Sequence, residues 1–169
     1  MTSKPPSPDR MTLRVYDTRS REKRKLTTLD DGKVRIYVCG ITPYSPSHLG
    51  HARCYLAFDV VHRWLEASGF EVDYVQNFTD IDDKIIDRAS RTAVPAEDLA
   101  RQHIDEFFAE MSALNIKPAT IYPRATEEID GMIELVQGLL EKGFAYTANG
   151  DVYFRVRKAA DYGRLSNRT

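Results

Sequence analysis

Cysteine is scarce in this sequence, and long apolar runs are missing altogether. The 169 residues contain two cysteines, Cys39 and Cys54, which are too few for the disulfide framework of a small secreted protein. We therefore expect free thiols and a cytoplasmic protein. No stretch approaches the length of a membrane-spanning helix, so we expect no membrane association. The formal net charge is -1 at pH 7, so overall charge does not indicate a nucleic-acid-binding protein.

What the sequence does contain is the balance of a soluble globular protein. Hydrophobic residues make up 42% and charged residues 29%. Residues 1–11 are polar and rich in proline, which predicts a disordered leader. We divide the rest into residues 12–119, which carry the alternating pattern of an α/β domain, and residues 120–169, which begin after a break rich in proline.

A strand, a helix and a second strand follow one another in the first part. Residues 34–38 are β-rich, a helix runs from Ser47 or His48 to about Ser68, and residues 70–78 alternate as a strand does. This order predicts a βαβ unit with a parallel strand pair. Ligands bind such units at the carboxyl ends of the strands.

Helical spacing and turn residues organise the remainder of the chain. In the first helix Leu56, Val60 and Trp64 form one apolar row, with a second row beside it and Cys54 expected in the core. Further helices are predicted over residues 80–91 and 95–114, and from Thr126 to about residue 142. Asn149-Gly150 between two β-rich runs is the strongest hairpin signal that a sequence offers.

Two histidines lie in the first turn of the predicted first helix. Free backbone N–H groups and the helix dipole favour an anion there, and the imidazoles of His48 and His51 could donate to a phosphate. Gly50 would let a ligand approach closely. The alternative is one capping and one packed histidine, and spacing alone does not decide between them. His62 and His103 are isolated and read as structural or exposed.

The residues at the two strand ends are less distinctive by themselves. Cys39 has the position of a small buried residue, and a single cysteine cannot form a tetrahedral zinc site. Thr42 and Thr79 are ordinary polar residues unless they line a pocket. The acidic run after Thr79 could bind magnesium, but we favour an acidic helix start with Lys84 pairing nearby.

In combination, these segments resemble the N-terminal part of the cysteinyl-tRNA synthetases, a family of class I aminoacyl-tRNA synthetases. His48-Leu49-Gly50-His51 is similar to the nucleotide signature of class I, and the likeness covers roughly residues 13–166. The segments that resemble cysteinyl enzymes in particular are residues 37–42, 58–61, 74–84, 142–146 and 150–154.

The resemblance implies a fold and a reaction. The fold would be the first half of a Rossmann-like (HUP-type) parallel sheet with flanking helices, followed by the start of an α+β insertion that contains the β-hairpin. Cysteine and ATP, with magnesium, would form cysteinyl-adenylate, and the cysteinyl group would pass to tRNA. The enzyme would be a monomer.

The resemblance also assigns roles to residues. Cys39 would be one ligand of a zinc ion that binds the substrate thiolate. Four further residues would line the amino-acid pocket, and three would bind ATP, with both histidines catalytic. The pocket residues are Gly40, Thr42, Asn77 and Thr79; the ATP-binding residues are His48, Gly50 and His51.

The sequence also departs from the family. The second class I signature, a Lys-Met-Ser-Lys-Ser loop, is absent, and the remaining zinc ligands have no counterpart. We therefore expect a piece of the enzyme that is inactive alone. Two alternatives remain: the cysteine ligase of mycothiol biosynthesis, which resembles this family closely, and a non-catalytic nucleotide-binding half-domain that needs a partner chain.

Overall fold

The computed structural model describes residues 13–167, so the leader predicted over residues 1–11 lies outside the described residues. The described chain forms two compact units. The first comprises Thr28–Glu127, and the second combines residues 13–27 with residues 128–167. Two strands, β1 (Arg14–Asp17) and β2 (Glu22–Lys25), come first in the chain and belong to the second unit. The elements of the first unit are β3 (Lys33–Val38), α1 (Leu49–Ala67), β4 (Glu71–Gln76), α2 (Asp83–Thr92), α3 (Ala96–Ala113) and a short 3₁₀ turn (Ala125–Glu127).

The predicted βαβ unit is the centre of the first unit. β3 and β4 pair in parallel, with Val38 opposite Gln76 at their carboxyl ends. Residues 121–124 run beside β4 in the same direction, through parallel bridges from Val75 to Ile121 and from Phe78 to Arg124. The predicted parallel sheet is therefore present, with three neighbouring segments whose carboxyl ends lie at one edge.

An aromatic cluster fills the space between this sheet and the helices. Phe78 and Phe107 are almost completely buried, at 0% and 1% exposure, and their rings meet edge to face at 5.5 Å between centroids. Tyr55 from α1 packs against Phe107 in the same way. Because Phe78 lies between Asn77 and Thr79, its burial fixes the segment that carries two predicted site residues.

Helix α1 buries only part of its predicted apolar rows, since Leu65 of the second row is buried. The buried side chains are Tyr55, Asp59, His62 and Leu65. Val60 and Trp64 of the apolar row remain 64% and 47% exposed. Cys54, predicted to be core, is also exposed. Helical periodicity identified an apolar face, but hydrogen bonds made Asp59 the buried side chain, since it accepts from Arg63 Nε and Lys117 N.

Two helix starts differ from prediction for one reason. The predicted helix over residues 80–91 begins at Asp83, with Asp82 as its cap, and the helix predicted from Thr126 begins at Ile129. Thr126 instead donates from its N–H and hydroxyl to the two carboxylate oxygens of Asp80, at 3.0 and 2.7 Å. Each residue that was expected to begin a helix is bonded to the other.

The second unit contains an N-terminal hairpin, a helix and the predicted Asn-Gly hairpin. Its elements are β1 (Arg14–Asp17), β2 (Glu22–Lys25), α4 (Ile129–Glu141), β5 (Ala145–Ala148), β6 (Asp151–Phe154) and a 3₁₀ turn (Val156–Lys158). β2 is formed by a basic stretch of the chain in which three of four residues are lysine or arginine. Asn149 and Gly150 have φ values of 54° and 89°, as a tight hairpin turn requires.

Candidate functional site

The carboxyl ends of β3 and β4 lie in close contact through their backbones. Gly40 N–H donates to Asn77 Oδ1 at 2.8 Å. A Cβ atom on Gly40 would lie 1.5 Å from the carbonyl oxygen of Asn77, which is far inside any permitted contact. Only glycine fits at position 40, so the two predicted pocket residues are in direct contact.

Thr79 extends the same contact by one residue. Its N–H donates to the carbonyl oxygen of Ile41 at 3.0 Å, and Asn77 Nδ2 donates to Thr79 Oγ1 at 3.3 Å. Thr42 is half-buried in the next position of the first segment. The structure therefore brings Gly40, Asn77 and Thr79 together and places Thr42 directly after Ile41.

Cys39 is exposed at the end of β3, and its prediction as a buried residue is wrong. Its carbonyl oxygen accepts a hydrogen bond from the buried Tyr55 hydroxyl at 3.3 Å. Burial raises the pKa of Tyr55, so this hydroxyl keeps its proton and remains a donor. Sequence reasoning missed Tyr55, although its position four residues after His51 puts both on one side of α1.

The two histidines at the start of α1 form a capping box and stack on each other. His48 is the N-cap of α1 and accepts the Gly50 N–H at its Nδ1, at 3.1 Å. His51 Nδ1 accepts the His48 N–H at 3.2 Å, which completes a reciprocal capping box. The rings stack with centroids 3.9 Å apart. The structure therefore shows capping by both histidines, which uses Nδ1 and leaves Nε2 of each ring outside the capping box. Donation to a phosphate stays a prediction.

Gly50 leaves room for the imidazole ring of His48, which packs directly against it. A Cβ atom at this position would lie 2.8 Å from His48 Cε1 and 2.9 Å from its Nδ1. The close approach expected at Gly50 is thus made by a side chain of the protein itself. Any larger residue would displace the His48 ring from its cap.

These hydrogen bonds fix which ring nitrogen of each imidazole carries the proton. A ring nitrogen that accepts a backbone N–H carries no proton, so each neutral imidazole has its proton on Nε2. Desolvation by burial and, to a smaller extent, the neighbouring His48 lower the pKa of His51, against the opposing effect of Glu110. The structure therefore favours neutral His51 with an N–H donor on the side opposite the cap.

Two of the three aspartates after Thr79 make structural hydrogen bonds. Asp82 caps α2 by accepting the Lys84 N–H at 2.9 Å, and Asp80 is bonded to Thr126. Lys84 lies over the ring of Tyr44, with Nζ 5.7 Å from its centroid, and it makes no ion pair with the acidic run. The acidic helix start is therefore observed, with Asp82 as its cap, but the ion pair predicted for Lys84 is wrong.

Comparison with known proteins identifies the family. The family described as tRNA synthetases class I (C) catalytic domain matches residues 25–169. This chain belongs to the class I (C) tRNA synthetase catalytic domain family. It is 52% identical over 157 residues to a cysteine–tRNA ligase of Dehalococcoides mccartyi, and the matched region covers 93% of this chain and 34% of that protein. A cysteine–tRNA ligase of Pyrococcus abyssi is 54% identical over 156 residues, or 92% and 33% of the two proteins.

A solved structure supports the same class. Mycobacterium tuberculosis methionyl-tRNA synthetase, in complex with methionyl-adenylate, matches with a TM-score of 0.60 and 27% identity, over 66% of this chain and 23% of that one. The present chain spans about a third of the length of the curated relatives above. In the described residues, no helix is long and apolar enough to cross a membrane.

The resemblance to cysteinyl-tRNA synthetases predicted a zinc ion with Cys39 as one ligand. The described side chains do not complete a binding site for that ion. Across residues 13–167 no group of three or more His, Cys, Asp or Glu side chains is placed to hold a metal ion. Cys39 therefore supplies at most one donor where zinc takes about four. Its role as a zinc ligand stays a prediction.

Proposed function

We propose that this chain carries the ATP site and part of the cysteine site of a cysteine–tRNA ligase. That enzyme activates cysteine with ATP to cysteinyl-adenylate and transfers the cysteinyl group to tRNA. The observation that carries the proposal is the paired arrangement in one βαβ unit: the Gly40–Asn77 contact at the strand ends and the His48–His51 capping box at the helix start. The sequence identity of 52% and 54% to two cysteine–tRNA ligases supports cysteine as the amino acid that is activated.

In this proposal the start of α1 binds the phosphates of ATP. The capping box consumes the Nδ1 atoms and leaves the two Nε2–H groups as donors at the positive end of the helix dipole. Negative charge develops on the phosphates as the cysteine carboxylate displaces pyrophosphate. Donors that are already oriented stabilise that charge without reorganisation. Gly50 contributes by keeping His48 in this orientation.

The strand ends would receive cysteine. Gly40, Thr42, Asn77 and Thr79 would line its pocket, and the Gly40–Asn77 contact would fix the width of that pocket. Cys39 would be one donor to a zinc ion completed by residues outside the described set. Because the described residues supply one donor only, no step of the reaction is assigned to the metal.

ATP binding tests the role of the histidines without removing the cap. In a variant with His48→Asn and His51→Gln, an asparagine cap and a glutamine acceptor can preserve both hydrogen bonds while the imidazoles are lost. We expect ATP binding, measured calorimetrically, to weaken at least about tenfold, as expected for lost charge-assisted contacts. The exposed Arg88→Gln on α2 is the control and should bind like the parent. Unchanged ATP affinity in the double variant would contradict the proposal.

The chain alone should not complete the reaction. It lacks the second class I signature and the further metal donors, so cysteine-dependent exchange between ATP and pyrophosphate should be absent even where ATP binds. Exchange that depends on cysteine, and that is lost in the double histidine variant, would refute the expected inactivity while supporting the assigned ATP site.

A further inference from the structure

A separate cavity opens at the same edge of the sheet, beside the end of β4. Its volume is about 430 Å³, and its walls come from the segment after β4, the first turns of α3 and the end of residues 121–127. The carboxyl edge of a parallel sheet is where α/β proteins bind ligands. The lining of this cavity does not include the residues assigned above to ATP or cysteine.

One side chain in this cavity has a charge without a partner. Arg124 is half-buried, yet its guanidinium makes no hydrogen bond or ion pair with any described residue. The other arginine of the lining, Arg101, is paired with Glu97 at 2.6 Å and with Asp98 at 3.1 Å. A partly desolvated guanidinium normally binds a carboxylate or phosphate, often through two parallel hydrogen bonds. Arg124 is therefore available for an oxyanion.

The remaining charges argue against a simple anion. The lining contains two arginines and three acids, Asp80, Glu97 and Glu127. Glu97 is neutralised by Arg101, and both oxygens of Asp80 accept from Thr126. Glu127 makes no side-chain hydrogen bond or ion pair with the described residues. Asp80 keeps its negative charge, because both of its donors on Thr126 are neutral. Arg124 and Glu127 are thus the charged side chains of the lining that have no described partner.

The rest of the wall is aliphatic. Ile81, Ala96, Ala100 and Ile104 line it, and Ala100 and Ile104 are themselves buried at 3% and 1% exposure. A ligand that matches all three features carries a carboxylate, an ammonium group and a small apolar body. We propose that this cavity binds a free α-amino acid with a small side chain, with its carboxylate on Arg124 and its ammonium group towards Glu127.

Titration with amino acids, followed by amide chemical shifts of the whole chain, tests this site. Glycine and L-alanine are the zwitterionic probes. Acetate presents only the carboxylate and methylammonium only the ammonium group, so each is a half-probe. We expect the zwitterions to shift the amides of Ala100 and Thr126, and each half-probe to bind at least about tenfold more weakly. Arg124→Met should abolish the shifts, and Glu127→Gln should weaken binding severalfold. Arg88→Met, an exposed arginine outside the cavity, is the matched control.

The outcomes separate this site from the proposed cysteine pocket. Shifts confined to Gly40 and Thr79, or shifts that Arg124→Met leaves intact, would overturn the inference while leaving the ligase proposal standing. Acetate binding as tightly as glycine would also overturn it, because the cavity would then be an anion site. If Arg124→Met fails to fold, loss of binding in the folded Glu127→Gln variant decides in favour, and full retention decides against.

Discussion

The two halves of the candidate site are held in different ways. At the strand ends, position is set by backbone against backbone, since Gly40 lies where no Cβ fits beside Asn77. At the start of α1, position is set by two side chains: His48 accepts the Gly50 N–H, and His51 accepts the His48 N–H. A backbone contact cannot adjust, whereas a side-chain pair can be replaced by residues with similar acceptors. Substitutions should therefore damage folding at the first place and ligand binding at the second.

Gly40→Ala should have the largest effect. The added Cβ would lie 1.5 Å from a backbone oxygen, so strands β3 and β4 would have to move apart at their ends. We expect the free energy of unfolding to fall by at least about 3 kcal/mol, the upper range for overpacking. Urea unfolding followed by circular dichroism measures this change.

Gly138→Ala is the matched control for that substitution. Gly138 lies inside α4, and a Cβ there would meet no atom within 4 Å. Alanine is favoured over glycine in a helix interior, so this variant should be more stable by about 0.5–1 kcal/mol. Equal effects of the two substitutions would show that the strand ends can relax, which contradicts a rigid contact between Gly40 and Asn77.

Two substitutions of His48 separate the stability of the α1 start from its ATP affinity. His48→Ala removes the cap acceptor and should cost about 1 kcal/mol of unfolding free energy. His48→Asn should recover most of that stability, because asparagine is a good N-cap, but should not recover ATP affinity. Thermal unfolding and ATP titration of both variants measure the two quantities. An asparagine variant with full ATP affinity would show that the ring of His48 acts only as a cap.

Local signals predicted the framework of this fold. The strand–helix–strand order, the His48 cap and the Asn149-Gly150 turn each depend on residues close in sequence, and all three are present. The family resemblance was likewise carried by short segments, and the family comparison confirms it.

Contacts between distant residues could not be predicted in this way. The Asp80–Thr126 pair spans 46 positions and moved two helix starts. The buried side of α1 depended on Lys117, 58 positions from Asp59. The Gly40–Asn77 contact spans 37 positions, and no pattern in either segment indicates that backbones meet there. Sequence periodicity shows which residues share a face, but tertiary hydrogen bonds decide which face is buried.

The smallest expected effect is a dependence of stability on pH that arises at the helix start. The pKa of His51 is lowered from its ordinary value near 6.5, because burial and His48 disfavour its charged form more than Glu110 favours it. The folded state therefore binds fewer protons than the unfolded state. The contribution of His51 to stability should be complete above about pH 6.5 and be lost as the pH falls through the folded value.

His51→Gln isolates this effect, since glutamine keeps an acceptor for the His48 N–H but does not titrate. Burial lowers the pKa of His62 in the same direction, so both proteins should lose stability between pH 7.5 and pH 5, and the parent should lose more. Urea unfolding at several pH values in this range measures the difference between the two slopes. Equal slopes would mean that protonated His51 keeps its place at the start of α1, and that its Nδ1 is not committed to the cap.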